Sequence, residues 1–248
     1  MVTVFLMFLC TSLFGFIRPV LVGACVLVGA AAGATGVQPD TPLLVISEAT
    51  GTAQMGVLNT DGEPLLLHTT IVDLPDSKGP NLYAIPPVTR IEGKGRQVVR
   101  FLLEKNAEPL KVQVLKRVRF EGIPPAKKDT DTHSTLRLTV SQDIPAVISP
   151  KGLEQDPEPW KKVGWKLSGN KILVTNTSPF VARLSQQVGL LPSGKAFKLL
   201  PKPYILPGDS FEVALPEGTD PANVTGLRLA PASPYGFSVD PYDVQLSR

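Results

Sequence analysis

The sequence is poor in reactive side chains. Its 248 residues hold only two cysteines, Cys10 and Cys25, and two histidines, His68 and His133. Both cysteines fall in residues 1–34, a stretch with no acidic residue and one basic residue, Arg18. The apolar run from Pro19 to Val28 and the small-x-small triplet Ala32-Gly33-Ala34 make this stretch read as a secretory signal, with cleavage expected after Ala34. Arg18 and Pro19 interrupt the span that a retained membrane anchor would need. A chain cleaved there has no cysteine, which excludes disulfides, a thiolate nucleophile and cysteine metal ligands. The expected product is an exported protein held together by its core alone.

Charge is scarce as well. Charged residues make up 19% of the chain and the formal net charge is +3, too little to point to a nucleic-acid partner. The basic run Lys111, Lys116, Arg117, Arg119, Lys127 and Lys128 is interleaved with strand residues rather than aromatics, and reads as a solvated sheet face. No Gly-x-Ser-x-Gly elbow occurs, and no His/Asp/Glu cluster has metal-ligand spacing. Gly189-Leu190-Leu191-Pro192-Ser193-Gly194-Lys195-Ala196 comes close to a phosphate-binding loop. It has Ala196 where a hydroxyl must hold magnesium, and a strand follows it instead of a helix, so it reads as a turn. Asn176-Thr177-Ser178 and Asn223-Val224-Thr225 match the short glycosylation triplet and carry little weight. The chain is expected to have no catalytic residue, no metal site and no cofactor.

Turns and short strands are what the chain has in quantity. Its 25 prolines and 21 glycines are dispersed rather than clustered. Short strands are expected at Leu43–Ile46, Thr52–Leu58, Leu65–Val72, Gln97–Leu103 and from Val112 to Phe120. Tyr83-Ala84-Ile85-Pro86-Pro87 leads into the turn Arg90–Gly95, and Ile123-Pro124-Pro125 closes the series before a final strand. With no helical period, this pattern predicts an immunoglobulin-type β-sandwich over residues 35–150. After Pro150 a second β domain, 151–248, is expected. Its strands read as Trp165–Leu167, Lys171–Thr175, Val181–Val188, Phe197–Leu200, Ser210–Leu215, Asn223–Leu229 and Phe237–Leu246.

The final strand of the first domain draws attention. In Thr135–Ser141, Leu136, Leu138 and Val140 alternate with Arg137, Thr139 and Ser141, which places the apolar side chains on one face of an extended segment. Alternation alone leaves two readings open: a strand filling its own core, or an edge offered to a partner.

Several local sequences carry a resemblance. Pro86-Pro87-Val88-Thr89-Arg90-Ile91-Glu92-Gly93-Lys94-Gly95-Arg96-Gln97-Val98-Val99-Arg100-Phe101 resembles the middle of the first domain of periplasmic pilus chaperones from Gram-negative bacteria. So do Ile123-Pro124-Pro125, Asn176-Thr177-Ser178-Pro179-Phe180-Val181 and, more loosely, Leu206-Pro207-Gly208-Asp209-Ser210. The resemblance implies two immunoglobulin-like domains in a boomerang and a periplasmic location. It also implies pilus or fimbrial subunits as partners, bound by donor-strand complementation and delivered to an outer-membrane usher. On that reading Leu136, Leu138, Val140 and Ile144 are the donor residues. An exposed apolar edge further implies a self-capping homodimer when the chaperone is empty. The alternative is a structural or adhesive immunoglobulin-like surface subunit.

The same family usually grips the subunit's terminal carboxylate with an Arg on the first strand and a Lys near the end of the donor strand. Here those positions fall near Leu43 or Leu44 and at Pro145, and the Arg that often precedes the hinge proline is Ser149. The carboxylate anchor is therefore unassigned. Three apolar donors at about 1.5–3 kcal/mol each give a gross gain of roughly 5–9 kcal/mol. Association costs on the order of 4–15 kcal/mol. A second contact, on the first strand or in the interdomain cleft, is expected.

Overall fold

The computed structural model describes residues 36–105, 108–125 and 141–248. Alternating apolar side chains build a first β-sandwich from β1 (Val37–Pro39), β2 (Leu44–Ser47), β3 (Thr52–Asn59), β4 (Leu65–Asp73), β5 (Leu82–Ile85), β6 (Val88–Ile91), β7 (Arg96–Leu103), β8 (Val114–Ile123) and β9 (Ser141–Ser149). One sheet has the order β1-β3-β7-β5 and the other β2-β9-β8-β4-β6. β2 and β9 run parallel, with Leu44 opposite Ala146, whereas β9 meets β8 antiparallel. Inward positions two apart, such as Met55 and Val57 on β3 or Val118 and Phe120 on β8, interlock between the sheets. Phe101 from one sheet meets Phe120 from the other edge-to-face, with ring centroids 6.4 Å apart.

The Arg90–Gly95 segment owes its composition to a close backbone approach. The buried Asn59 side chain donates to the carbonyls of Glu63, Ile91 and Glu92, stitching two turns together. A Cβ on Gly93 would overlap the Gly62 carbonyl, and Lys94 takes a left-handed φ of 59°.

A second sandwich follows: β10 (Gly164–Ser168), β11 (Lys171–Thr175), β12 (Ala182–Arg183), β13 (Gln187–Leu191), β14 (Ala196–Lys198), β15 (Tyr204–Ile205), β16 (Ser210–Ala214), β17 (Gly226–Leu229) and β18 (Tyr242–Gln245). Its sheets are ordered β10-β11-β16, β12-β15 and β14-β13-β17-β18. Trp160, Trp165, Ile172, Val174, Leu190, Leu227 and Leu229 lie in its separate core. Asn176 is buried here. Its amide donates to the carbonyls of Phe180 and Ile205, and its carbonyl accepts from Ser178. Asn176 itself thus serves as a buried plug, with its amide nitrogen already engaged.

Three expectations need correction. The run Val181–Val188 is two strands, because the Ser185 N–H turns away to the Ala230 carbonyl. The last strand is limited to Tyr242–Gln245. Lys116 is not on a solvated face: it shares the inward register of Val114, Val118 and Phe120, its side chain is 1% exposed, and it pairs with Asp73 on β4.

The sandwiches meet through a small apolar cluster, Leu43, Leu115 and Val147 from the first and Val181 and Leu206 from the second. Gln113 crosses the seam. Its side-chain nitrogen donates to Ser149 Oγ at 3.0 Å and its side-chain oxygen accepts the Val181 N–H at 2.9 Å. Its backbone N–H donates to the Pro179 carbonyl. Asp76 and Lys202 add an ion pair between the two sandwiches. Ser149 lies in this seam, where the neutral glutamine bridge joins the domains beside the Asp76–Lys202 pair.

Candidate functional site

Strand β9 is paired unevenly. β8 runs beside it from Ser141 to Ile148, whereas β2 covers only Ala146 to Ser149. The segment Ser141–Pro145 therefore has a strand on one side and, among the described residues, no strand on the other. Such an edge presents backbone groups that a further strand can take up. Pro145 interrupts it by lacking an N–H.

Side-chain parity along β9 is equally clear. Ile144, Ala146 and Ile148 point into the core of the first sandwich, where Ile144 is 7% exposed. Asp143 and Pro145 lie on the opposite face. Asp143 is held by Arg117, whose Nε donates to its carboxylate at 2.9 Å and whose Nη2 donates to its carbonyl at 2.7 Å. Leu136, Leu138 and Val140 lie outside the described residues. In sequence they keep the even register of Ile144.

A cavity of about 220 Å³ opens between the sandwiches, lined by residues including Leu43, Val45, Ser149, Phe180, Val181 and Arg183. Leu43, one of the positions where the family pattern puts a basic residue, contributes only an apolar wall. Leu44 is turned into the core, and Pro145 offers no charge. The cation in the cleft comes from the second sandwich instead. Arg183 sits on β12 opposite Tyr204 of β15. Its Nη1 is buried with no hydrogen-bond partner among the described residues. Burial, and secondarily repulsion from Arg117, hold the guanidinium below its ordinary pKa. Gly236, with φ of 89°, packs between this guanidinium and the first sandwich. A Cβ there would lie 3.2 Å from Arg183 Nη1 and 3.1 Å from both Leu43 Cβ and Pro42 Cγ.

Sequence reasoning missed Arg183, although a signal was available. It is a single charge set in Phe180-Val181-Ala182-Arg183-Leu184, where every neighbour is apolar and buried. A lone cation in such a run has to be paired or directed at a cavity.

Two family models match the chain. Residues 36–154 match "Pili and flagellar-assembly chaperone, PapD N-terminal domain", and residues 158–240 match "Pili assembly chaperone PapD, C-terminal domain". The uncharacterized fimbrial chaperone YhcA of Escherichia coli (strain K12) is 42% identical over 214 residues, covering 86% of this chain and 92% of that protein. The chaperone protein caf1M of Yersinia pestis is 24% identical, covering 71% of this chain and 72% of its own length. Among solved structures, the Salmonella enterica SafA pilin in complex with the SafB chaperone superposes with a TM-score of 0.70. The identity is 21%, with 87% of this chain and 99% of that chain covered. The Escherichia coli chaperone DraB gives 0.69 at 22% identity, over 86% and 99% of the two chains. These structures share the all-β, two-sandwich fold. Together, the paired sandwiches, the half-open β9 and these relationships show that the chain belongs to the PapD family of pilus-assembly chaperones, a family of non-enzymatic proteins.

Proposed function

We propose that this protein is a periplasmic chaperone that binds pilus or fimbrial subunits by lending them a strand, and then delivers them to an outer-membrane usher. The observation that carries this reading is the one-sided pairing of Ser141–Pro145 on β9. A subunit strand laid along that edge gains main-chain hydrogen bonds, and the apolar residues preceding it supply the contacts. Leu136, Leu138 and Val140 are the proposed donors. Ile144 continues their register, and its burial makes it the junction at which the donor face merges into the chaperone's own core. The relative solved as a chaperone–pilin complex supports a subunit as the partner. An unoccupied edge of this kind also favours a self-capped homodimer until a subunit arrives.

Co-expression with the subunits tests the proposal. Leu138→Asp is expected to lower subunit recovery at least tenfold while the chaperone stays folded. Undiminished recovery in a folded variant would refute the donor role.

A further inference from the structure

We propose that the hairpin Ala232–Ser238 of the second sandwich is a docking surface for the subunit segment next to the strand added along β9, with Tyr235 and Phe237 as its contacts. This deepens the chaperone reading and rests on it for the identity of the partner. The hairpin itself is a built element. Ala232 and Ser238 pair as an antiparallel bridge, the Ser233 N–H donates to the Phe237 carbonyl at 2.7 Å, and the Gly236 N–H donates to the Ser233 carbonyl at 2.8 Å. Gly236 supplies the left-handed φ of 89° at the turn. The Tyr235 hydroxyl donates to Gln155 Oε1 at 3.3 Å, which ties the tip to the segment between the sandwiches.

The aromatics at this tip are not spent on the protein's own core. Tyr235 and Phe237 are 58% and 59% exposed, the highest values for large hydrophobic residues among those described. No residue from Ala232 to Ser238 is charged, so the surface suits an apolar partner. Rigid aromatic side chains offer a large contact area at little cost in side-chain entropy, and they are enriched where interface energy is concentrated.

Position identifies the occupant. β2 covers β9 only from Leu44, opposite Ala146, so the open edge begins at Pro145. Gly236 packs on Pro42 and Leu43, the two residues just before β2. A Cβ there would lie 3.1 Å from both Pro42 Cγ and Leu43 Cβ. A strand added along Ser141–Pro145, in line with β2, therefore meets the first sandwich where this hairpin rests on it. The aromatics carry the same interface onto the second sandwich and supply a contact beyond the apolar donors.

Photo-crosslinking in the full chain, co-expressed with its subunits, tests the surface. p-Benzoylphenylalanine in place of Tyr235 or Phe237 is expected to crosslink a co-expressed subunit, identified by mass spectrometry. The control is the same probe in place of Tyr83, which is 50% exposed on β5, in the sheet that does not contain β9; it is expected to capture none. Tyr235→Ser combined with Phe237→Ser is expected to release bound subunit about tenfold faster or more, read by capture on excess tagged wild-type chaperone. Both side chains are exposed, so the double variant keeps its fold. Crosslinks only to a second copy of the chain, equal subunit yields from Tyr83 and the hairpin positions, or an unchanged release rate would overturn the proposal. If Leu138→Asp loses the subunit while the double serine variant holds it normally, the hairpin contact is removed and the donor strand stands. If hairpin crosslinks to the subunit are undiminished in Leu138→Asp, the donor role is removed and the hairpin contact stands.

Discussion

Gln113 accepts the Val181 N–H through its side-chain carbonyl at 2.9 Å, and this contact joins the two sandwiches directly. With Gln113 truncated to Ala, the Val181 N–H loses its acceptor and the Ser149 hydroxyl its donor. An orphaned polar group at a buried seam costs about 1–3 kcal/mol. The expected outcome for Gln113→Ala is faster hydrogen exchange at Val181 than at core amides of either sandwich, with a lower denaturant midpoint. Ser149→Ala is expected to cost less, since Gln113 keeps its bond to Val181.

The Lys116–Asp73 pair predicts an asymmetry. The lysine side chain is 1% exposed, whereas its partner is 66% exposed, so much of the coupling is screened. Asp73→Ala leaves a buried cation without its counter-ion and is expected to lower the urea midpoint. Lys116→Met removes the charge and keeps the packing, and is expected to be neutral or stabilising. The two variants compared in one denaturation series check the ordering.

Acid sensitivity is expected at the start of the second sandwich. Burial raises the Asp156 pKa, but hydrogen bonds from Lys162 and the Glu158 N–H outweigh it, and the carboxyl sits below its ordinary value. A depressed carboxylate contributes stability that is present above its unfolded pKa of about 3.9 and is lost as pH falls through the folded value. Asp156→Asn is therefore expected to flatten the decline of stability below about pH 4. Thermal midpoints measured from pH 6 to pH 3 provide the check.

Much of the fold was legible because strand periodicity survives in Thr52–Leu58, Leu65–Val72 and Gln97–Leu103, where alternate residues face one core. Short strands such as Val37–Pro39 and Tyr204–Ile205 carry too few residues to show a period. Lys116 was readable in principle: counting by twos from Val114 to Phe120 places it inward, but the neighbouring Arg117 and Arg119 suggested a polar face. The uneven pairing of β9 could not be read from sequence at all. It arises from where β2 begins, at Leu44 opposite Ala146, and register across 100 residues leaves no local mark. The cleft cation was hidden for a related reason. Arg183 is packed against the Gly236 backbone, which lies far from it in sequence.

The open edge of β9 is the central claim, and backbone hydrogen exchange on a subunit complex tests it most directly. Strand addition predicts that N–H groups of Ser141–Ile144 facing away from β8 become strongly protected when a subunit binds, while those already bonded to β8 change little. Exchange at that edge unaltered by a bound subunit would contradict the account.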